Sequence, residues 1–172
     1  MQIIHVSAEC YPMAKAGGLG DVVGALPKYQ NKLGHNAIVV MPMYRTPFLY
    51  KNEWDVVYES GTYLGNTWFK YAVIKERSNQ LGFELYLIDI DGLLDRERVY
   101  GYDDDTERFV SFQIAFVHWL KSWQQMPDVV HVHDHHTGLI PFLMKYAVDY
   151  SPLRHIKTVL TIHNAQYQGI MG

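Results

Sequence analysis

The sequence predicts an α/β protein whose doubly wound, mostly parallel sheet carries a β-hairpin insertion. Short apolar, β-rich runs recur at Ile3–Val6, Ala37–Val40, Leu85–Ile88, Val129–Val132 and Thr158–Ile162. Near-continuous runs of this kind suit strands covered on both faces, as in a parallel sheet. Segments with helical periodicity separate them. The first run also leads through Lys15-Ala16-Gly17-Gly18-Leu19-Gly20-Asp21 into a helical pattern, the strand–turn–helix junction of such folds.

The first helix is expected from Asp21 to Leu33, with Gly34 as its terminating glycine and Pro27 predicting a bend or an early end. Asp55–Glu59 and Trp68–Ile74 alternate as a hairpin around Gly61 and Gly65-Asn66, and a turn at Ser78-Asn79-Gln80 leads into Phe83–Asp89. Residues 91–104 are charged, bear tyrosines and have no period, so they read as a loop that orders around a ligand. The clearest helix spans Thr106–Trp123, with Phe109, Phe112, Phe116, Val117, Leu120 and Trp123 on one face and Asp105 as N-cap. Another covers Gly138–Tyr150.

A chain of 172 residues is long enough for one domain with a substantial core. Its net charge of −3 gives no basic footprint for nucleic acid, and no apolar run approaches a membrane span. Met1–His5 reads as a strand, lacking the basic and long apolar regions of a signal peptide, which predicts a cytoplasmic protein. Cys10 is the only cysteine, so neither an intrachain disulfide nor a multi-cysteine metal site can form.

The glycine stretch is a candidate anion cradle. Paired glycines let a ligand approach the backbone, a helix start offers unpaired N–H groups, and Lys15 adds a full positive charge. A phosphate or diphosphate suits it. The spacing is not G-x-G-x-x-G, because Val23 holds the third position, and no acidic residue lies between Asp21 and Glu53 to hold a ribose, which disfavours NAD. No P-loop pattern occurs. The competing reading is a glycine turn that merely joins strand to helix.

The same stretch resembles the Lys-x-Gly-Gly-Leu-x-Asp of bacterial glycogen synthases and plant starch synthases. Glu9–Pro12 resembles that family's Glu-x-x-Pro, His133-Asp134-His135-His136-Thr137-Gly138-Leu139 its His-Asp-Trp-His-x-Gly-Leu, and Thr161-Ile162-His163-Asn164 with Tyr167-Gln168-Gly169 its Thr-[IV]-His-Asn-x-x-Tyr-Gln-Gly. One departure is His135, where the family usually has Trp. The resemblance implies two facing Rossmann-like domains, the GT-B fold, with residues 1–172 forming part of the amino-terminal, acceptor-side domain and the carboxy-terminal nucleotide-binding domain absent.

It also implies a retaining glucosyltransferase that moves glucose from ADP-glucose to the non-reducing end of an α-1,4-glucan without a metal or other cofactor. The residues it places in the site are Lys15, Gly17 and Gly18 at the phosphates, Asp21 near the sugars, and Asp134 and His163 as the catalytic pair holding the transferred glucose. Tyr100 beside the substrate and Asn164 shaping the turn complete the set. The fragment alone is expected to be inactive.

Placement supports that reading separately, because all three motifs follow strands and ligands of doubly wound sheets bind beyond the strands' carboxyl ends. Two other classes remain open on the sequence. A non-catalytic module that grips glucan or nucleotide is permitted by an aromatic content of 14%. A metallohydrolase could use His131, His133, His135 and His136 around Asp134, although His135 stands where a binuclear zinc motif needs Asp. Alternation along the strand points His131 and His133 to one face, with His135 joining only if the strand continues.

Overall fold

The computed structural model describes residues 1–163. Among them, seven strands form one sheet in the order β3-β4-β5-β2-β1-β6-β7. β1 (Gln2–Val6) lies centrally between β2 (Asn36–Pro42) and β6 (Val129–His133), parallel to both. β5 (Glu84–Asp89) and β7 (Lys157–Thr161) extend the parallel part on either side. The hairpin of β3 (Trp54–Leu64) and β4 (Thr67–Glu76) adds the antiparallel edge.

Both faces of the central strands are covered, as their apolar runs require. On one face Val39, Met41, Leu85 and Leu87 pack with Leu19 and Val23 of α1 (Gly18–Lys32). On the other, Ile4, Val6, Ile38, Val40, Val130 and Val132 pack with Phe112, Phe116, Val117 and Leu120 of α3 (Asp105–Lys121) and Ile140 and Met144 of α4 (Leu139–Tyr146). Each fully buried phenylalanine of α3 contributes about 2 kcal/mol. On the α1 face, however, β1 and β6 present His5, His131 and His133 beside Ile3 and Val129.

Several expectations are corrected in detail. α1 begins at Gly18 rather than Asp21 and continues past the buried Pro27 to Lys32, since packing on β2 holds it together; Gly34, at φ 95°, does terminate it. Gly61 lies inside β3, where its missing side chain admits the Trp68 ring, and the turn is Gly65-Asn66 alone. Asp105 is not the cap of α3 but its first residue, and its carboxylate accepts the Gly101 and Tyr102 N–H groups. The Gly138–Tyr150 segment divides into α4 and a 3-10 turn at Val148–Leu153.

A one-turn helix, α2 (Pro47–Lys51), is too short to leave a period in the sequence. β7 is an open edge on which Val159 and Leu160 are exposed, so its apolar run does not report burial among the described residues. The 91–104 loop is fixed by its own contacts. Arg96 binds Asp104 with two guanidinium bonds of 2.6 and 2.7 Å, and the buried Arg108 donates to the carbonyls of Leu93 and Val99 at 2.6 and 3.0 Å.

Candidate active site

The chain leaves β1 toward β2 through α1, and leaves β6 toward β7 through α4, so the strand order switches between β1 and β6. A crevice at that switch is where doubly wound sheets bind ligands. The loop after β1 forms one bank, and the turns after β6 and β7 form the other.

On the first bank Glu9 is buried, and its Oε1 accepts the N–H groups of Ala16 and Gly17 at 2.7 and 3.0 Å. This modifies the expected cradle: the Gly17 donor already has a carboxylate. Past it, no side chain caps α1, so the first helical N–H groups keep the partial positive charge of a helix start. Gly17 is extended, at φ −162°, and a Cβ on Gly17 or Gly18 would meet nothing within 4 Å. Neither backbone conformation nor internal packing explains this glycine pair, which disfavours a mere turn and points to close approach from outside. Gly24 contrasts with them, since its Cβ would stand 2.6 Å from the Tyr11 carbonyl oxygen.

Lys15 and Asp21 meet in an ion pair of 2.8 Å with both side chains exposed, and Asp21 raises the lysine's pKa. Tyr100, from the long loop, donates its hydroxyl to Glu9 Oε2 at 2.6 Å; burial and that carboxylate push the phenol's pKa up. A cavity of about 420 Å³ opens between the two loops, lined by Lys15, Ala16, Thr46, Arg98 and Tyr100 among others.

On the second bank Asp134 is buried in a backbone conformation, φ 61° and ψ −179°, that is essentially reserved for glycine. Its Oδ1 accepts the His163 N–H at 2.6 Å, and its own N–H donates to the Thr161 carbonyl at 2.8 Å. The His163 ring bonds His133 through Nε2 and Nδ1 at 3.0 Å. The two banks touch where the Tyr100 ring stacks on His136, centroids 4.7 Å apart.

The structure therefore gathers Lys15, Gly17, Gly18, Asp21, Tyr100, Asp134 and His163 at one edge of the sheet. Asn164, with Tyr167, Gln168 and Gly169, lies outside the described residues.

His131 and His133 do share a face, with rings stacked at 4.2 Å, and His135 does not join them because the strand ends at His133 and a 3-10 turn begins at His135. His5 takes that place instead, bonding His133 at 3.0 Å. His5, His131 and His133 bring ring nitrogens within 4.8 Å of one another. Burial pushes the pKa of His5 down, and burial with neighbouring histidines lowers His131 to about 4 and His133 to about 2. Burial also brings His136 to about 4. Sequence reasoning missed Glu9 and His5 as site residues; each is a lone polar residue in an apolar stretch that the fold buries completely or nearly so.

The family model for the starch synthase catalytic domain matches residues 2–172. The chain belongs to this family. A glycogen synthase of Flavobacterium johnsoniae is 55% identical over 172 residues, which is 100% of this chain and 36% of that protein. A Streptococcus gordonii glycogen synthase is 42% identical over 171 residues, covering 98% of this chain and 36% of the relative. The catalytic domain of starch synthase IV from Arabidopsis thaliana, solved bound to ADP and acarbose, superposes with a TM-score of 0.84 at 25% identity, over 96% of this chain and 34% of that one.

The chain thus spans about a third of the length of these relatives. Membership of the starch synthase catalytic domain family agrees with the three motifs and with the doubly wound sheet. Among the described residues, no helix is long and apolar enough to cross a membrane.

Proposed function

We propose that the chain is the amino-terminal, acceptor-side part of a cytoplasmic GT-B glucosyltransferase that extends an α-1,4-glucan from a nucleotide sugar, ADP-glucose being the donor. One observation carries this most: an uncapped helix start with an unexplained glycine pair and Lys15 faces, across the switch crevice, a strained carboxylate bonded to His163. The first bank suits a diphosphate and the second a sugar's hydroxyls, the two parts of a nucleotide sugar. That the Arabidopsis relative binds ADP and acarbose, a diphosphate nucleotide and a glucan-like oligosaccharide, supports the assignment.

In this reading, transfer retains anomeric configuration by attack on the face the leaving group vacates. Lys15 and the N–H groups at the start of α1 stabilise the departing diphosphate, a charge that grows in the transition state, so no metal is required. The Lys15–Asp21 pair opens as phosphate arrives. Asp134 and His163 hold glucose by its hydroxyls, and Tyr100, placed by Glu9, borders the sugar. A second Rossmann-like domain supplies most of the nucleotide pocket.

The test is glucose incorporation into glycogen by the full-length protein from labelled ADP-glucose and, separately, UDP-glucose, with residues 1–172 as a parallel sample. Incorporation by the full-length protein, with ADP-glucose preferred and the fragment inactive, is expected. Tight maltooligosaccharide binding without incorporation from either donor overturns the enzyme reading in favour of a binding module.

A further inference from the structure

Three contacts run in series from α1 to the crevice. Gln30 Oε1 meets His5 Nε2 at 2.7 Å, His5 Nδ1 meets His133 Nε2 at 3.0 Å, and His133 Nδ1 meets His163 Nε2 at 3.0 Å. We propose that Gln30, His5 and His133 form a hydrogen-bonded wire that fixes His163 as its Nε2–H tautomer, leaving Nδ1 as an acceptor for a ligand hydroxyl. The hydroxyl being that of a bound sugar rests on the glucosyltransferase reading; the wire itself does not.

The direction follows from proton counting. An amide oxygen only accepts, so the proton in the first contact belongs to His5 Nε2. A neutral imidazole has one N–H, which makes His5 Nδ1 an acceptor and places the next proton on His133 Nε2. The same step leaves His133 Nδ1 as an acceptor and puts the third proton on His163 Nε2. Neutrality of the two inner rings is secured by their burial, which depresses the pKa of His5 and takes His133 to about 2. One side-chain amide on α1 thus sets the tautomer of a ring at the far end of three contacts.

The surroundings hold the wire in place. His131 stacks on His133 with ring planes 15° apart, while its own Nε2 bonds Thr161 Oγ1 at 2.7 Å and so stays out of the series. His163 is parallel to His133 within 14°, and its backbone N–H is fixed on Asp134. Polar rings at fully buried sites of β1 and β6 are costly unless each hydrogen bond is made, and a partly satisfied network is worse than an aliphatic one. Isoleucine or valine would fill position 5 more simply, as at Ile3, Ile4 and Val6. The completed series gives a reason for histidine there, with Gln30 and His5 as positioning residues for His163.

The experiment uses the full-length protein with 15N-labelled histidine, and long-range proton–nitrogen spectra read each tautomer. Nε2–H is expected at His5, His133 and His163. Gln30→Leu removes the acceptor from a half-buried helix position, so His163 should become a mixture of tautomers, with turnover down about tenfold and the donor KM unchanged. Gln30→Lys offers only donors, drives the His5 proton to Nδ1, and should leave His163 as the Nδ1–H form.

Nδ1–H at any of the three rings in the unsubstituted protein overturns the wire, whatever the variants do. So does a His163 tautomer that stays Nε2–H in both variants, the result a purely structural Gln30 would give. If the tautomers respond as expected but the unsubstituted protein transfers no glucose, the wire stands and the enzyme reading falls.

Discussion

On the β1 bank of the crevice, Lys15 and Asp21 pair in open solvent beside Gly17 and Gly18, above a helix start that no side chain caps. On the β6–β7 bank, His133, Asp134 and His163 are hydrogen-bonded to one another and linked through His5 to the helix behind. On the first bank Glu9 already holds the Ala16 and Gly17 N–H groups, but α1 beyond them has no side-chain cap, and an exposed ion pair is easily exchanged for a ligand. The second has made its bonds before any ligand arrives. The contrast suits a nucleotide sugar, whose phosphates arrive with a flexible nucleotide and whose glucose must be held in one orientation while its bond breaks.

Acid should break the contrast most severely, because only the second bank depends on neutral histidines. Folding holds His133 near 2 and His131 and His136 near 4, all below their ordinary value of 6.5. Below about pH 6.5 the unfolded chain takes up protons that the native chain refuses, so stability is full above 6.5 and is lost as pH falls toward 4. The three lowered values act in one direction, so stability should fall measurably as pH drops from 6.5 toward 4.5. Denaturant midpoints measured from pH 7.5 to 4.5 check this, and a flat profile down to pH 5 would show that the cluster protonates without harm.

Asp134→Gly separates folding from function at one atom group. Glycine relieves a strained conformation worth about 1–3 kcal/mol, while the lost acceptor for the His163 N–H costs a similar amount. Thermal stability should therefore change by no more than about 1 kcal/mol, whereas glucose transfer by the full-length protein falls about a hundredfold as His163 loses its anchor. Melting curves and initial rates on the same samples measure both. Retained activity would remove Asp134 from the site.

The central strands and long helices were legible because burial on both faces leaves continuous apolar runs, and an amphipathic helix such as α3 leaves a period. The convergence of the glycine loop, Asp134 and His163 was legible too, since parallel strands place the ends of β1, β6 and β7 on one edge. What failed was anything set by tertiary contact. The extended start of α1 depends on the loop after β1, and the order of residues 91–104 on Arg108, a cation that α3 buries completely. Glu9 and His5 have partners 91 and 128 positions away, Tyr100 and His133, so the Glu9–Pro12 resemblance marked a segment without showing what Glu9 holds, and nothing local marked His5.

Glu9 tests whether the open bank is as unsupported as it looks. Its carboxylate carries the N–H groups of Ala16 and Gly17 and the Tyr100 hydroxyl, so Glu9→Ala strips three donors at once. A stability loss of about 2–3 kcal/mol is expected, with faster amide exchange at Ala16 and Gly17. Unchanged exchange there would mean that the loop holds its shape without the carboxylate.

Lys15→Ala should have the smallest effect on the fold and a selective one on binding. The lysine is exposed, and its partner Asp21 is exposed as well, so the melting temperature should not move measurably. A lost charge-assisted bond to a diphosphate, in contrast, weakens nucleotide-sugar binding by about tenfold or more. Asp21→Asn should act oppositely, because it frees the lysine from its carboxylate and removes a negative charge from the approach. Titration calorimetry of the full-length protein with ADP-glucose reads both signs. If both variants weaken binding equally, the pair acts as one rigid unit that helps shape the loop, and the phosphate contact belongs to the helix start alone.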